Sequence, residues 1–212
     1  MSTASTKSRR SREKMARKAS ILDAAETVFA RDGLDAARVD DVARTAEVSK
    51  GLVYAYFADK ADLCDAAALR ALGRLSLALG RAAYASGPAF ERLGRFADAY
   101  AAVARERPAD FALLHYRAGQ APPYTEGSHA AACHEATMAL FALLEKVLAD
   151  GQSDGSVRAD LDPRRAALAL WSGVHGFVSV AAQSDVEAWY GVTSDGLVGD
   201  GLALLLAGVR PR

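Results

Sequence analysis

The chain has 212 residues, of which 51% are hydrophobic, and equal numbers of Lys plus Arg (26) and Asp plus Glu (26), so its formal net charge is zero. This length and hydrophobicity allow a sizeable core and argue against a disordered chain. The neutral total argues against a protein coated with positive charge for nonspecific nucleic-acid binding. Ala-rich segments dominate and β-branched alternation is almost absent, which predicts an all-α fold.

Positive charge is concentrated at the N-terminus. Residues 1–20 hold seven Lys or Arg and one Glu, a net charge of +6, so the other 192 residues carry −6. The asymmetry predicts a basic arm for phosphate attached to a body with another role. We expect residues 1–12 to be a disordered arm that can order on DNA. A transit peptide is the other interpretation, but an amphipathic pattern is missing.

The two cysteines, Cys64 and Cys133, lie far apart in a chain without an apolar signal segment or an 18-residue apolar run. We therefore expect a cytoplasmic protein with reduced, buried thiols. His129 and Cys133 are four residues apart and could share a metal with His134. No fourth ligand is evident, so neither a metal nor another cofactor is expected.

Helix breakers divide the chain into about nine helical segments. The first carries an apolar stripe and ends at Gly33, and the second, about eight residues long, is too short to be stable alone. Ser49 can cap a third helix. Its inward residues are predicted to be Leu52, Tyr56 and Phe57, and its outward residues Lys50, Gly51, Val53 and Tyr54.

Two short helices joined by a tight turn form the helix-turn-helix arrangement that places a helix in the major groove of DNA. The stretch from Arg17 to Ala66 resembles the N-terminal signature of the tetracycline-repressor (TetR/AcrR) family. The resemblance is carried by Ile21-Leu22-Asp23-Ala24-Ala25, Phe29, Gly33, Val39-Asp40-Asp41-Val42-Ala43, the run from Ala46 to Phe57, and Lys60.

The resemblance implies a homodimeric, mostly repressing regulator with a variable helical ligand-binding domain. Because the first helical segments are short or moderate and the later ones longer, we expect residues 13–58 to form the helix-turn-helix domain and residues 59–212 the regulatory and dimerisation domain. Two positions depart from the family pattern: Glu47 replaces the usual turn glycine, and Ala37-Arg38 stand where Thr or Ser usually precedes the second helix.

The predicted DNA contacts combine base reading and phosphate binding. Lys50 can donate to guanine or phosphate, Gly51 allows close approach, and Lys60 can join a phosphate at a helix start capped by Asp59. An exposed lysine without a ligand is the alternative at Lys60, and core packing the alternative at Tyr56. The full set is Arg38, Ser49, Lys50, Gly51, Val53, Tyr54, Tyr56 and Lys60.

The segment Asp162–Gln183 is apolar nearly all round, which predicts packing on both its own core and a partner subunit. With the run from Leu202 to Val209 it would form a four-helix dimer interface, as the family usually does. The expected interface residues are Gly173, Gly176, Phe177, Val180, Leu202, Leu205 and Leu206. The run from Trp171 to Gly176 also resembles the Trp-His-Gly element of one C-terminal subgroup of the family.

Aromatic and polar residues in the middle helices are candidate walls for a pocket that takes an apolar or amphipathic small molecule. Ordinary core packing is the alternative for each. The candidates are Tyr100, Phe111, His115, His134, Met138, Phe141, Trp171 and His175.

The predicted function is repression at a near-palindromic operator, with release by a small ligand that changes the spacing of the two recognition helices. An enzyme is the alternative from another class, but nucleophile-elbow, phosphate-loop and zinc-hydrolase motifs are missing. A regulator that answers to a protein partner, with no small-molecule effector, is a second alternative. Activation rather than repression stays open.

Overall fold

A computed structural model describes residues 3–118, 124–183 and 185–211. Within these ranges the chain forms ten α-helices and no strand, which confirms the all-α prediction. None of these helices is both long and apolar enough to cross a bilayer. The helices are α1 Thr3–Asp32, α2 Val39–Thr45, α3 Lys50–Tyr54, α4 Lys60–Ala83, α5 Ala89–Glu106, α6 Pro108–Ala118, α7 His129–Asp154, α8 Pro163–Gln183, α9 Val186–Tyr190 and α10 Ser194–Ala207.

The chain divides into two compact units. The first comprises Met1–Ala71 with Ala112–Cys133, and the second Leu72–Phe111 with His134–Arg212. The first unit therefore extends beyond the boundary expected near residue 58. A buried ion pair within it, Arg117 to Asp65 at 3.0 Å, links its two chain segments.

Helix α1 is longer than the sequence analysis predicts. It begins at Thr3, so residues 3–12 are helical here rather than a disordered arm. Neither Gly nor Pro interrupts it before Gly33, and Arg9 pairs with Glu13 one turn later at 2.8 Å. It ends at Gly33, whose φ of +78° lies in the left-handed region.

The N-terminal part of the first unit is a three-helix head, as predicted. Helix α2 packs against both α1 and α3, and this packing stabilises two helices of only seven and five residues. The apolar stripes predicted on α1 and α2 supply buried core residues: Ile21, Ala25, Val28 and Phe29 from α1, and Val39, Val42 and Ala43 from α2.

In the second unit, α8 packs closely against α10, and α5 contacts both. Glycines permit the approach: a Cβ on Gly201 would lie 2.4 Å from the Phe177 ring, and one on Gly173 would lie 2.7 Å from Leu205. Helix α7 continues through Gly151, which packs against Val157, and is followed by Gly155 at a φ of +77°.

Candidate nucleic-acid interface and internal cavity

The turn between α2 and α3 is built around Glu47. Its φ is +55°, and in the part of the chain that the structure describes it is the only non-glycine residue with a positive φ. The N–H of Val48 donates to the carbonyl of Ala43 at 2.9 Å, and the N–H of Glu47 donates to that of Arg44 at 3.2 Å. These two bonds form a Schellman cap, which favours glycine at its left-handed position. The turn therefore keeps this geometry although glutamate replaces glycine.

The outward surface of α3 is small and accessible. Ser49 caps the helix, its hydroxyl oxygen accepting from the N–H of Leu52 at 3.2 Å, as predicted. Lys50, Gly51 and Tyr54 are exposed. A Cβ on Gly51 would meet only the Ser49 hydroxyl at 4.0 Å, so another molecule can approach the helix backbone here.

Val53 corrects the predicted orientation of α3. It is 1% exposed and belongs to the core of the head, together with Phe57 one turn later, so it does not face outward. Leu52, predicted to point inward, is half-buried, as is Tyr56. A five-residue helix has too few turns for its apolar pattern to define a face, and packing decides the orientation.

Carboxylates flank several cations of the head. Lys50 lies 2.9 Å from a carboxylate oxygen of Asp40, which raises the pKa of the lysine by hydrogen bonding and charge. Arg44 pairs with Asp41. Arg38 is exposed and caps α2 without a side-chain hydrogen bond.

The start of α4 matches the expected cap. The Asp59 carboxylate accepts from the N–H of Asp62 at 2.8 Å, and the Asp62 carboxylate accepts from the N–H of Ala58 at 2.9 Å. Lys60, the first residue of α4, donates to the carbonyl of Asp35 at 2.9 Å. This contact satisfies one of three ammonium donors and leaves two for a further acceptor.

The second unit contains an apolar cavity between α5, α7, α8 and α10. Its volume is about 40 Å³, enough for a few waters. The lining residues are Leu93, Phe96, Ala97, Tyr100, Leu144, Leu170, Trp171, Val174, Leu202, Leu205 and Leu206.

Two of the candidate pocket residues, Tyr100 and Trp171, line this cavity. Three others form an aromatic cluster behind them. The Tyr100 hydroxyl and His175 Nδ1 share a 2.6 Å hydrogen bond, Phe111 packs on both rings, and Phe141 packs edge-on to Trp171. Burial raises the pKa of Tyr100.

The remaining three candidates lie elsewhere. His134 and Met138 are exposed on α7, and His115 is exposed in the first unit. Three residues of the α5 wall, Leu93, Phe96 and Ala97, were not predicted, although with Tyr100 they recur at i, i+3, i+4 and i+7, the signal of one helix face.

Most of the expected dimer residues also make contacts within the chain. Gly173 packs on Leu205 and Phe177 on Gly201, while Leu202, Leu205 and Leu206 line the cavity. Gly176 and Val180 do lie on the surface, and a Cβ on Gly176 would meet nothing within 4 Å.

The outer faces of α8 and α10 expose apolar groups that the interface prediction omitted. Leu168 is 55% exposed and Leu204 73% exposed, beside Val180 at 47%. Exposed Ser172 and Gly176 complete a strip along α8 at intervals of four residues. We call Leu168, Ser172, Gly176, Val180 and Leu204 the outer strip.

The three candidate metal ligands do not meet. His129 lies 2.6 Å from the Asp62 carboxylate, Cys133 donates to the carbonyl of Asp65, and His134 is exposed. Among the described residues, no three His, Cys, Asp or Glu side chains are arranged to hold a metal. Burial raises the pKa of both Cys64 and Cys133 to about 11.

Family models match two parts of the chain. Residues 21–67 match the bacterial regulatory proteins of the tetR family, and residues 93–197 match the tetracyclin repressor-like C-terminal domain. The chain is also 44% identical over 52 residues to the HTH-type transcriptional repressor SCO4008 of Streptomyces coelicolor. That match covers 24% of this chain and only 27% of the repressor's length.

Solved structures match nearly the whole chain. A protein of unknown function from Rhodococcus sp. RHA1 has a TM-score of 0.74 and 26% identity, covering 92% of this chain and 95% of its own. FadR from Bacillus subtilis has a TM-score of 0.70 and 20% identity, and the match covers 91% of this chain and 100% of that one. The ketosteroid transcriptional regulator KstR2 of Mycobacterium tuberculosis has a TM-score of 0.69 and 20% identity, and the match covers 92% of this chain and 96% of that one. The all-helical fold, the helix-turn-helix head and the two family matches together place this chain in the TetR family of bacterial transcriptional regulators.

Proposed function

We propose that the protein is a dimeric repressor that binds a near-palindromic operator and is released by a small apolar or amphipathic ligand. The observation that carries the DNA-binding part is the accessible face of α3, where Lys50, Gly51 and Tyr54 are exposed beside a capped helix start. A lysine at this place can donate to guanine, and a tyrosine hydroxyl can fix register on a phosphate. The likeness to a curated repressor in this region supports repression.

The outer strip supports dimerisation. Exposed leucine and valine side chains side by side with an open glycine and a serine suit close packing against a second copy of the same face. Dimerisation would place two recognition helices about 34–36 Å apart, in successive major grooves. The two-fold symmetry of such a dimer makes the expected operator near-palindromic, and this spacing sets the distance between its half-sites.

The cavity of the second unit supports an apolar or amphipathic effector. Nine of its lining residues are aliphatic or phenylalanine, and the hydroxyl of Tyr100 is already bonded to His175. A cavity of about 40 Å³ is too small for such a ligand, so binding requires the helices around it to separate. Among proteins of similar fold, FadR from Bacillus subtilis was solved with stearoyl-CoA, an amphipathic molecule.

The same small volume favours the second candidate, a regulator that responds to a protein partner and uses its second unit only to dimerise. The two candidate functions differ in whether the cavity must expand. A ligand-responsive protein needs a cavity that expands, whereas a partner-responsive protein does not.

The test begins with selection of bound fragments from random duplex DNA at a stated salt concentration. Enrichment of near-palindromic half-sites about one helical turn apart is expected, and failure to enrich any sequence contradicts the operator-binding proposal. Small apolar and amphipathic molecules are then screened for release of that DNA. Ala97→Leu, which fills part of the cavity, should keep DNA binding and lose release. An unchanged response in Ala97→Leu would contradict this cavity as the effector site.

A further inference from the structure

Charge is divided unequally within the first unit. Residues 21–67, the part matched by the family's DNA-binding model, hold five Lys or Arg and ten Asp or Glu, a net charge of −5. Residues 3–20, which lie outside that match, hold seven Lys or Arg and one Glu, a net charge of +6. Phosphate contacts supply most of the salt-dependent affinity for DNA. With this excess of negative charge, residues 21–67 need cations from another segment to bind DNA.

Most cations of residues 21–67 already have a partner within the chain. Three of the five pair with carboxylates, and a fourth, Lys60, donates to a backbone carbonyl at 2.9 Å. The three pairs are Arg31–Asp32 at 2.6 Å, Lys50–Asp40 at 2.9 Å, and Arg44–Asp41. Each pair must loosen or be shared before its cation contributes fully to a phosphate contact.

The N-terminal half of α1 is different. Arg10, Lys14 and Arg17 recur at i, i+4 and i+7 and so share one side of the helix. All three are exposed, and within the described part of the chain none forms an ion pair. Glu13, the one acid of this segment, is paired with Arg9 at 2.8 Å. We call Arg10, Lys14 and Arg17 the basic face.

Next to the basic face, Lys18 of α1 contacts His129 and Phe57. Lys18 Nζ lies 2.9 Å from His129 Nε2 and 5.6 Å from the centre of the Phe57 ring. An ammonium group only donates, so His129 accepts at Nε2 and donates through Nδ1 to Asp62 at 2.6 Å. These contacts and the unbroken helix give the basic face a defined position on the head.

We propose that the basic face binds the phosphate backbone of duplex DNA beside the base pairs that α3 reads. Arg10 and Arg17 lie about 10 Å apart along the helix axis, a length over which B-DNA presents about six phosphates. Backbone contacts carry no sequence information directly, so this surface adds affinity and not base preference. The proposal rests on the DNA-binding function proposed above.

The experiment compares the full-length protein with the triple variant R10Q/K14Q/R17Q, which keeps good helix formers and removes three charges. Binding to the selected operator and to a random duplex of equal length is measured by fluorescence anisotropy at several salt concentrations. The slope of log K against log salt should become shallower by about 2 to 3 per protomer, with roughly tenfold or greater loss of affinity at 0.1 M salt. The sequence preference should not change.

Two controls separate the basic face from total charge and from folding. The variant R81Q/R105Q/R164Q removes three exposed charges from the second unit and should keep the wild-type slope. The variant R10K/K14R/R17K retains every charge and should also keep it. An unchanged slope in R10Q/K14Q/R17Q, or an equal fall in the second-unit variant, overturns the proposal and favours an acidic protein surface as the occupant.

The outcomes also separate this inference from the operator proposal. If the wild type binds operator and random duplex equally, sequence-specific function fails, yet a shallower slope in the triple variant still supports the basic face. If the wild type prefers the operator and the triple variant keeps its slope, only the basic-face proposal fails. Failure to bind either duplex overturns both.

Discussion

Glu47 shows how one residue can retain a family's backbone geometry without its usual side chain. The left-handed region costs a non-glycine residue roughly 1–2 kcal/mol relative to glycine. The Schellman bonds from Glu47 and Val48 to the end of α2 offset this cost. Glycine at position 47 would therefore make the folded protein more stable than glutamate does.

We predict that Glu47→Gly raises the free energy of unfolding by about 0.5–1 kcal/mol, because glycine adopts a positive φ without strain. Urea unfolding followed by circular dichroism measures the change. The matched control is Glu135→Gly, an exposed position inside α7, where glycine should lower the stability by about 0.5–1 kcal/mol. Equal losses in both variants would contradict the assigned turn.

Burial governs the chemistry of the two thiols. Cys64 and Cys133 are 3% and 1% exposed, and the pKa of each is raised to about 11. Because the thiolate is the reactive form, we predict that at pH 8 both react with a disulfide reagent at least about 100-fold more slowly in the native protein than in urea. Rapid reaction of either thiol in the native state would contradict its burial, and Cys64→Ala and Cys133→Ala assign the two rates.

A pH dependence follows with a defined sign. The folded pKa of each thiol lies above its unfolded value, so the folded state keeps a proton that the unfolded state loses. The contribution of the two protonated thiols to the free energy of unfolding is complete below about pH 8.5 and declines as the pH rises toward 11. The double variant C64A/C133A should therefore lose less stability than the wild type between pH 8.5 and 10.

At the scale of elements, glycines decide how closely α8 and α10 pack. Gly173 and Gly201 each face a large side chain of the other helix, whereas Gly176 and Gly199 face open space. Helix propensity disfavours all four equally. Packing within the chain therefore requires glycine at the first two positions and not at the other two.

We predict that Gly201→Ala lowers the free energy of unfolding by about 1–3 kcal/mol, since its Cβ would lie 2.4 Å from the Phe177 ring. Gly199→Ala, two residues earlier on the same helix, should raise it by up to about 1 kcal/mol. Urea midpoints at equal protein concentration measure both. The same sign of change in both variants would contradict the packing of α8 on α10.

At the scale of the whole molecule, the proposed function depends on two copies acting together, because a palindromic site needs two heads at a fixed spacing. The outer strip is the surface that we assign to this contact. Leu204 is its most exposed large side chain, at 73%.

We predict that Leu204→Asp converts the dimer to a monomer, because burying an unpaired carboxylate at a packed interface is costly, and that operator affinity falls at least about tenfold as the second head is lost. Sedimentation analysis and anisotropy measure the two effects. Leu77→Asp is the control, since Leu77 is 67% exposed on α4 of the same unit. A dimeric Leu204→Asp protein would place the interface elsewhere.

Much of the fold could be predicted from local signals in the sequence. Apolar spacing on α1 and α2, the cap residues Ser49 and Asp59, and the stop at Gly33 act through neighbours a few residues away, so the sequence alone determined the helices and the helix-turn-helix head. The family resemblance rests on the same local residues.

Only the tertiary structure decided which side of an apolar helix faces which partner. Val53 is buried because the helices of the head pack around it. The apolar pattern of a five-residue helix is too short to predict which side faces inward. Leu202, Leu205 and Leu206 line the internal cavity. A helix that is apolar nearly all round satisfies either arrangement, so its neighbours in space, and not its sequence, determine which face is left for another molecule.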